Sequence, residues 1–303
     1  MKRQFIFLGV SGFLGLMISG IWASVEAESQ PVPPKFSIIK NVAEFNLVID
    51  KEPISASDVK AIDQPADPRQ KIIGGDDRIP MTSRKNPWSS VGKIEMLDAD
   101  GNGYSCTGTL ISEDEVLTNA HCIVNPETRI AYQKIKFLPN LINGILRDQN
   151  DIADATHIAI GTNFPTGTLK DFVDDWAVLK LNKPLGKKYS YLKLKSIPSF
   201  DLVGDTEQFA LVGYSGDFPN PNKKGFEEFT AGETMTAGVH SGCSILRQKD
   251  NLLYHNCDTT KGASGGAIIG QIGSDYYVFA LHSGSDKVNG LLLNRAVQIS
   301  RIR

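Results

Sequence analysis

Thr259-Thr260-Lys261-Gly262-Ala263-Ser264-Gly265-Gly266-Ala267 sets one serine among small residues and glycines near the end of the chain. A serine hydroxyl is too weak an acid to attack unaided, so a nucleophilic serine needs a neighbouring base and donors for the oxyanion that forms. Glycines let a backbone turn sharply and expose its N–H groups. The N–H groups of Gly262 and Ser264 therefore make a workable oxyanion site. Taken alone, the stretch reads equally as a Gly-rich β-turn, and partners elsewhere must decide.

Two partners stand upstream. Leu117-Thr118-Asn119-Ala120-His121-Cys122 closes an apolar strand with a histidine, and Asp174-Asp175-Trp176-Ala177-Val178-Leu179 opens another with acids. The chain order is His, Asp, Ser. In these motifs and this order the sequence resembles the chymotrypsin-like serine endopeptidases. Within that group it is most similar to the bacterial glutamyl endopeptidase branch, through Ile72-Ile73-Gly74-Gly75-Asp76-Asp77-Arg78, Cys106-Thr107-Gly108-Thr109-Leu110-Ile111, Asp258-Thr259 and Ala280-Leu281-His282-Ser283. The resemblance covers residues 71 to 303.

It implies an all-β fold of two antiparallel six-stranded barrels, about 72–186 and 187–303, with the site in the cleft between them. Ser264 would be the nucleophile, His121 the general base, and Asp175 the group that fixes the histidine tautomer. Asp171 and Asp174 compete, but only Asp175 immediately precedes the matching Trp176-Ala177-Val178-Leu179. Carried over from the glutamyl branch, His282, Thr259 and Ser285 would bind a substrate glutamate and Ser283 would support Asp175. Asp258 argues the other way, because trypsin-like relatives carry at that place the acid that selects lysine or arginine. Lys261 adjoins the site as a possible attractor of acidic substrates. One departure stands out: Ala263 occupies the position where the animal digestive relatives carry the acid that pairs with the released amino terminus.

The 303 residues carry a formal charge of −2, with lysines and arginines scattered and no basic stretch interleaved with aromatics, so a nucleic-acid partner is not expected. Protein or peptide substrates, a monomer and no cofactor are the expectation. Residues 1–27 have the basic start, apolar run and small-residue end of a secretory signal, with cleavage after Ala23 or Ala27; the rival is a retained membrane anchor. After its removal no membrane association is expected, and the protein is placed in a secreted or periplasmic setting.

Four cysteines fit that compartment. Cys106 and Cys122 flank a hairpin that brings them together, which leaves Cys243 with Cys257; this is one of three possible connectivities. A zinc site from His240, Cys243, His255 and Cys257 is the alternative set aside, and no metal is expected.

Residues 28–71 are rich in prolines and acids and read as a propeptide or linker. Within them Phe36 to Ile49 alternates enough to form a strand or two and dock on the peptidase domain. Processing is expected next to Lys71. Beyond Arg78 come short strands divided by turns, with Asp98-Ala99-Asp100-Gly101-Asn102-Gly103 a hairpin tip rather than a calcium loop. Expected strands in the second half are Glu207 to Gly213, Glu233 to Gly238, Gly242 to Arg247, Ala267 to Ile272, Tyr276 to His282 and Gly290 to Ala296, before a short C-terminal helix. An α/β-hydrolase esterase also satisfies Gly262-Ala263-Ser264-Gly265-Gly266, with Asp286 and His282 behind it, but the chain lacks alternating strands and amphipathic helices. A non-catalytic reading is an inactive protease homologue that binds a partner through the old cleft.

Overall fold

A computed structural model describes residues 36–39, 42–62, 76–288 and 291–303. The signal segment and the Lys71–Ile72 junction lie outside the described residues. Three short strands come first among the described residues: β1 (Ser37–Ile39), β2 (Ile49–Asp50) and β3 (Val59–Lys60). After β4 (Ile79–Pro80) come β5 (Val91–Leu97), β6 (Gly103–Leu110), β7 (Glu115–Thr118), β8 (Lys134–Pro139), β9 (Ala153–Ile160) and β10 (Ala177–Leu181). They form the ring β9-β10-β7-β6-β5-β8, which closes through the β9–β8 pairing. β-Branched and aromatic residues drive it, since they pack well on a pleated surface. Ile94, Val116, Phe137 and Leu179 are fully buried inside it.

The second half contributes β11 (Lys193–Lys195), β12 (Phe209–Gly213), β13 (Gly238–Cys243), β14 (Ile245–Lys249), β15 (Leu252–His255), β16 (Ala267–Ile272), β17 (Asp275–Val288) and β18 (Leu291–Gln298). Its path is β14-β15-β18-β17-β16-β12-β13. β13 and β14 are separated only by Ser244, so they act as one bent strand and the count returns to six. Apolar residues from both halves, among them Leu117, Val178, Val212, Leu281 and Trp88, share one cluster, which joins the two barrels.

Three expectations are corrected. Residues 233 to 237 are turn, bend and irregular backbone, not strand, and the strand begins at Gly238; Gly232 and Thr234 hold positive φ, which breaks a ladder. β15 was not foreseen. The C-terminal helix is a single 3-10 turn, Ile299–Arg301. No α-helix among the described residues exceeds four residues, so the α/β-hydrolase arrangement has no crossover helices to build it.

Candidate active site

β7 ends at Thr118, and Asn119 leads into one 3-10 turn, Ala120–Cys122. The turn is fastened on both sides. Asn119 Nδ2 donates to the Asp175 carbonyl at 2.6 Å, and Cys122 is bonded to Cys106 on β6. The disulfide expected from the hairpin is formed, and so is Cys243–Cys257.

Asp175 is fully buried. Its Oδ1 accepts the backbone N–H of His121 at 3.0 Å, and its Oδ2 lies 2.8 Å from His121 Nδ1. An ionised carboxylate only accepts, so Nδ1 carries the hydrogen and Nε2 keeps a lone pair. The rival acids are occupied elsewhere. Asp174 pairs with Arg301 at 2.7 Å, and Asp171 Oδ2 accepts the N–H groups of Thr166 and Gly167.

Ser264 is carried by the loop before β16. Its carbonyl accepts from Thr107 N–H at 2.8 Å and lies 4.0 Å from Cys122 Sγ, beside His121 in the chain. Gly265 adopts φ +81°, and a Cβ there would fall 2.2 Å from the Thr107 carbonyl oxygen. The loop is also laced to β17, with Gly265 N–H donating to the His282 carbonyl and His282 N–H to that of Gly266.

The carbonyl of Lys261 accepts from Gly216 N–H. In a trans peptide the C=O and N–H point opposite ways, so the Gly262 N–H faces away from Gly216. Gly262 reaches this with φ +95°, where a Cβ would sit 2.5 Å from the Tyr214 carbonyl oxygen. Among the described residues neither Gly262 N–H nor Ser264 N–H has a backbone acceptor. Two donors are thus left for an external oxyanion.

Without an acid at Ala263, the loop is tethered by other means. Thr260 Oγ1 donates to Asp217, whose carboxylate pairs with Arg78. Arg78 also pairs with Asp76 at 2.7 Å and lies over the Phe218 ring. Burial alone would lower the Arg78 pKa, but the two carboxylates outweigh it and the guanidinium is held more firmly protonated than usual.

His282 and His255 are buried, with His282 Nδ1 3.1 Å from His255 Nε2. Burial pushes His255 down to about 3 and, with the His255, His121 and Arg295 charges, holds His282 well below the ordinary histidine value. Both rings are neutral, and one proton lies between them. His255 Nδ1 has no partner among the described residues; an unmet lone pair is tolerated better than an unmet N–H, which puts the His255 proton on Nε2. His282 Nδ1 then accepts, and its Nε2–H is the donor that remains. Thr259 Oγ1 is likewise buried without a partner among the described residues, and Ser285 is exposed on β17. Ser283 departs from expectation: its Oγ accepts from Arg295 Nε at 3.2 Å.

Asp258 is engaged by protein groups. Its Oδ2 accepts Asp77 N–H at 2.8 Å and lies 3.4 Å from His240 Nδ1. Burial would raise its pKa, but His240 and the Asp77 N–H outweigh this and hold it below the usual carboxylate range. Asp77, His240 and Asp258 place three ligand atoms within 4.8 Å of one another, yet His240 Nδ1 already accepts Asp258 N–H at 2.8 Å. The zinc alternative falls because Cys243 and Cys257 are joined and His255 faces His282.

The family described as trypsin-like peptidase domain matches residues 106–274, more than half of the chain, and spans His121, Asp175 and Ser264. The chain belongs to that family. Serine protease 23 of Homo sapiens is 29% identical over 180 residues, which are 54% of this chain and 42% of that protein. Its Bos taurus counterpart is 30% identical over 181 residues, 54% and 43% respectively. The peptidase thus spans less than half the length of these relatives. Among solved structures, a Glu endopeptidase in complex with MPD superposes with a TM-score of 0.58 at 26% identity, covering 75% of this chain and 94% of that one. The protease Anisep from Arthrobacter nicotinovorans shares the fold, with a TM-score of 0.51 at 18% identity over 69% and 90%.

Several residues that shape the site in this trypsin-like peptidase had no motif to announce them. His255 closes β15, and its signal was Asp250-Asn251, both at positive φ, the two-residue turn that makes a hairpin. Asn294 Nδ2 donates to the Cys257 carbonyl and ties β18 to the loop before Thr259. Arg295 stacks on Phe172 with its Cζ 4.2 Å from the ring centroid and pairs with Asp286 at 2.8 Å.

Proposed function

We propose that the protein is an exported serine endopeptidase that hydrolyses peptide bonds through an acyl-enzyme, with glutamate preferred on the acyl side of the cut. The observation that carries the catalytic reading is the buried Asp175 carboxylate engaging both the backbone and the Nδ1 of His121. That arrangement leaves Nε2 as a base for Ser264. The serine proton passes to Nε2 as Oγ bonds to the scissile carbonyl carbon, and the oxyanion takes the N–H groups of Gly262 and Ser264. Collapse breaks the C–N bond, and Nε2 returns the proton to the leaving amine. Water then attacks the ester by the same route.

The preference for glutamate rests on polar groups that lack partners among the described residues. Thr259 Oγ1 is buried and unpaired, and neutral His282 has one N–H left to give. A carboxylate accepts from both. Asp258, whose carboxylate accepts the Asp77 N–H and whose own N–H is held by His240 Nδ1, weakens the lysine or arginine alternative. Export is supported by the two disulfides and by the signal-like start of the chain. Processing next to Lys71 belongs to the same proposal. The deciding experiment is cleavage-site profiling on a mixed peptide library with Ser264→Ala as control. Cuts after glutamate that vanish in the control are expected. Cuts after lysine or arginine would transfer the pocket to Asp258, and an absence of Ser264-dependent cutting would make the protein a binding homologue.

A further inference from the structure

Residues 36–62 precede the expected processing point, yet they are built into the peptidase. β1 pairs in parallel with β9 on the first barrel, through Ser37 to His157 and Ile39 to Ala159. β2 pairs in parallel with β11, and β3 antiparallel with β16, in the second sheet. One segment therefore spans both barrels. Phe36, Phe45, Val59 and Ile62 are each buried to within 7% of full exclusion. Phe45 and Ile62 lie in the same apolar cluster as Trp88, Leu117, Val178 and Leu192.

The polar contacts are more telling than the apolar ones. Glu115, at the start of the β7 strand that leads to His121, is fully buried, and its Oε1 accepts the Asn46 N–H at 2.7 Å. Lys195 on β11 is 2% exposed, and its Nζ pairs with Asp50 at 2.9 Å. Gln208 Nε2, before β12, donates to the Ala56 carbonyl at 3.0 Å. Departure of the segment would strip a buried ammonium of its carboxylate and a buried carboxylate of an N–H donor. Breaking a buried pair on one side is far costlier than never having formed it. An inhibitory prosegment lies on the nucleophile and leaves; this one instead pairs with strands β9, β11 and β16, none of which carries His121, Asp175 or Ser264.

We propose that residues 36–62 are a permanent strap of the peptidase, a partner segment seated on an interaction surface that crosses both barrels. Once the chain is cut between residues 63 and 75 the strap stays bound as a second, non-covalent chain. The contact with Glu115 at the base of the histidine strand, and the pairing of Lys60 with Gln271 on the strand that comes after Ser264, make it a brace between the halves that supply the base and the nucleophile.

The test uses the full chain with Ser264→Ala, so that its outcome is independent of the proposed activity. A recognition sequence for an unrelated, highly specific protease replaces residues 64–68, and the folded protein is cut there. Folding precedes cutting, so a strap needed only for folding is told apart from one that is retained. The expected result is co-elution of the strap with the body in size-exclusion chromatography, with release only in denaturant. A companion protein carrying Phe45→Ala and Ile62→Ala, cut in the same way, should lose its strap at least tenfold faster on dilution. Elution of a free strap from the unsubstituted protein, with the body keeping its Tm, would overturn the proposal. Equal release rates with and without the two substitutions would also count against it.

Discussion

At the scale of the residue, three acids within five positions have three different uses. Asp175 faces His121, Asp174 faces Arg301 and Asp171 caps the turn at Thr166 and Gly167. Asp175→Asn should leave the fold intact and lower kcat by about 10⁴-fold, because an amide lets the imidazole take the wrong tautomer. Asp174→Asn should change kcat little and cost at most about 1 kcal/mol in denaturant unfolding, as befits a partly exposed pair. If the two substitutions gave equal losses of kcat, the assignment of the orienting acid would be wrong. Thr260 gives a second case. Its hydroxyl is the link from Asp217 and Arg78 to the loop that presents the Gly262 N–H. Thr260→Val should lower kcat with KM nearly unchanged, and Thr260→Ser should restore it. A rise in KM alongside the fall in kcat would point to the pocket instead, because Thr259 is adjacent.

Among the elements, legibility followed the chemistry. The motif around Ser264, the strand ending in His121 and the strand opening after Asp175 announced themselves, because each puts a polar residue at the edge of an apolar run. The short strands of the first half were equally readable, while their closure into a barrel came from the family resemblance. What escaped were pairings made over long distances. β15 is four residues long and looks like a turn until its Asp250-Asn251 hairpin and its partner β18 are seen. Ser283 was expected beside Asp175, but no local pattern shows that Arg295, across the β17–β18 ladder, reaches its hydroxyl. The exchange of an acid before the nucleophile for Ala263 was legible; the tether through Arg78 that stands in its place was not. The disulfide beside the histidine supplies a prediction at this scale. Cys106→Ser with Cys122→Ser removes a crosslink closing a loop of 16 residues, and about 3 kcal/mol of stability should go with it. Urea unfolding reads that loss, and kcat should fall too if the bridge holds the turn that carries His121.

For the whole molecule, the buried histidine pair sets a pH dependence. Above pH 6.5 both rings are neutral, folded or unfolded, and the fold bears no protonation cost. As pH falls below that value the unfolded chain takes up protons that buried His282 and His255 refuse. Stability therefore declines from about pH 6.5 downward, and for His255 it continues to do so until about pH 3. The slope reaches at most about 1.4 kcal/mol per pH unit for each histidine. The lowered carboxylates of Asp76, Asp217 and Asp258 enter only below their ordinary value of 3.8. Urea midpoints between pH 7 and 4.5 should fall in the wild type and fall about half as steeply in His255→Gln. Parallel curves would show that the pair is not the source.

The pairing of Lys60 with Gln271 also has a meaning in time. The strap is synthesised before the strands it pairs with, and the last of those strands comes after the nucleophile loop. Non-local pairing of this kind closes late, since the intervening chain must be ordered first. A growing chain therefore holds an incompletely seated strap until β16 has been made. A segment made before the peptidase strands is thus seated only after the loop that bears Ser264 has been made.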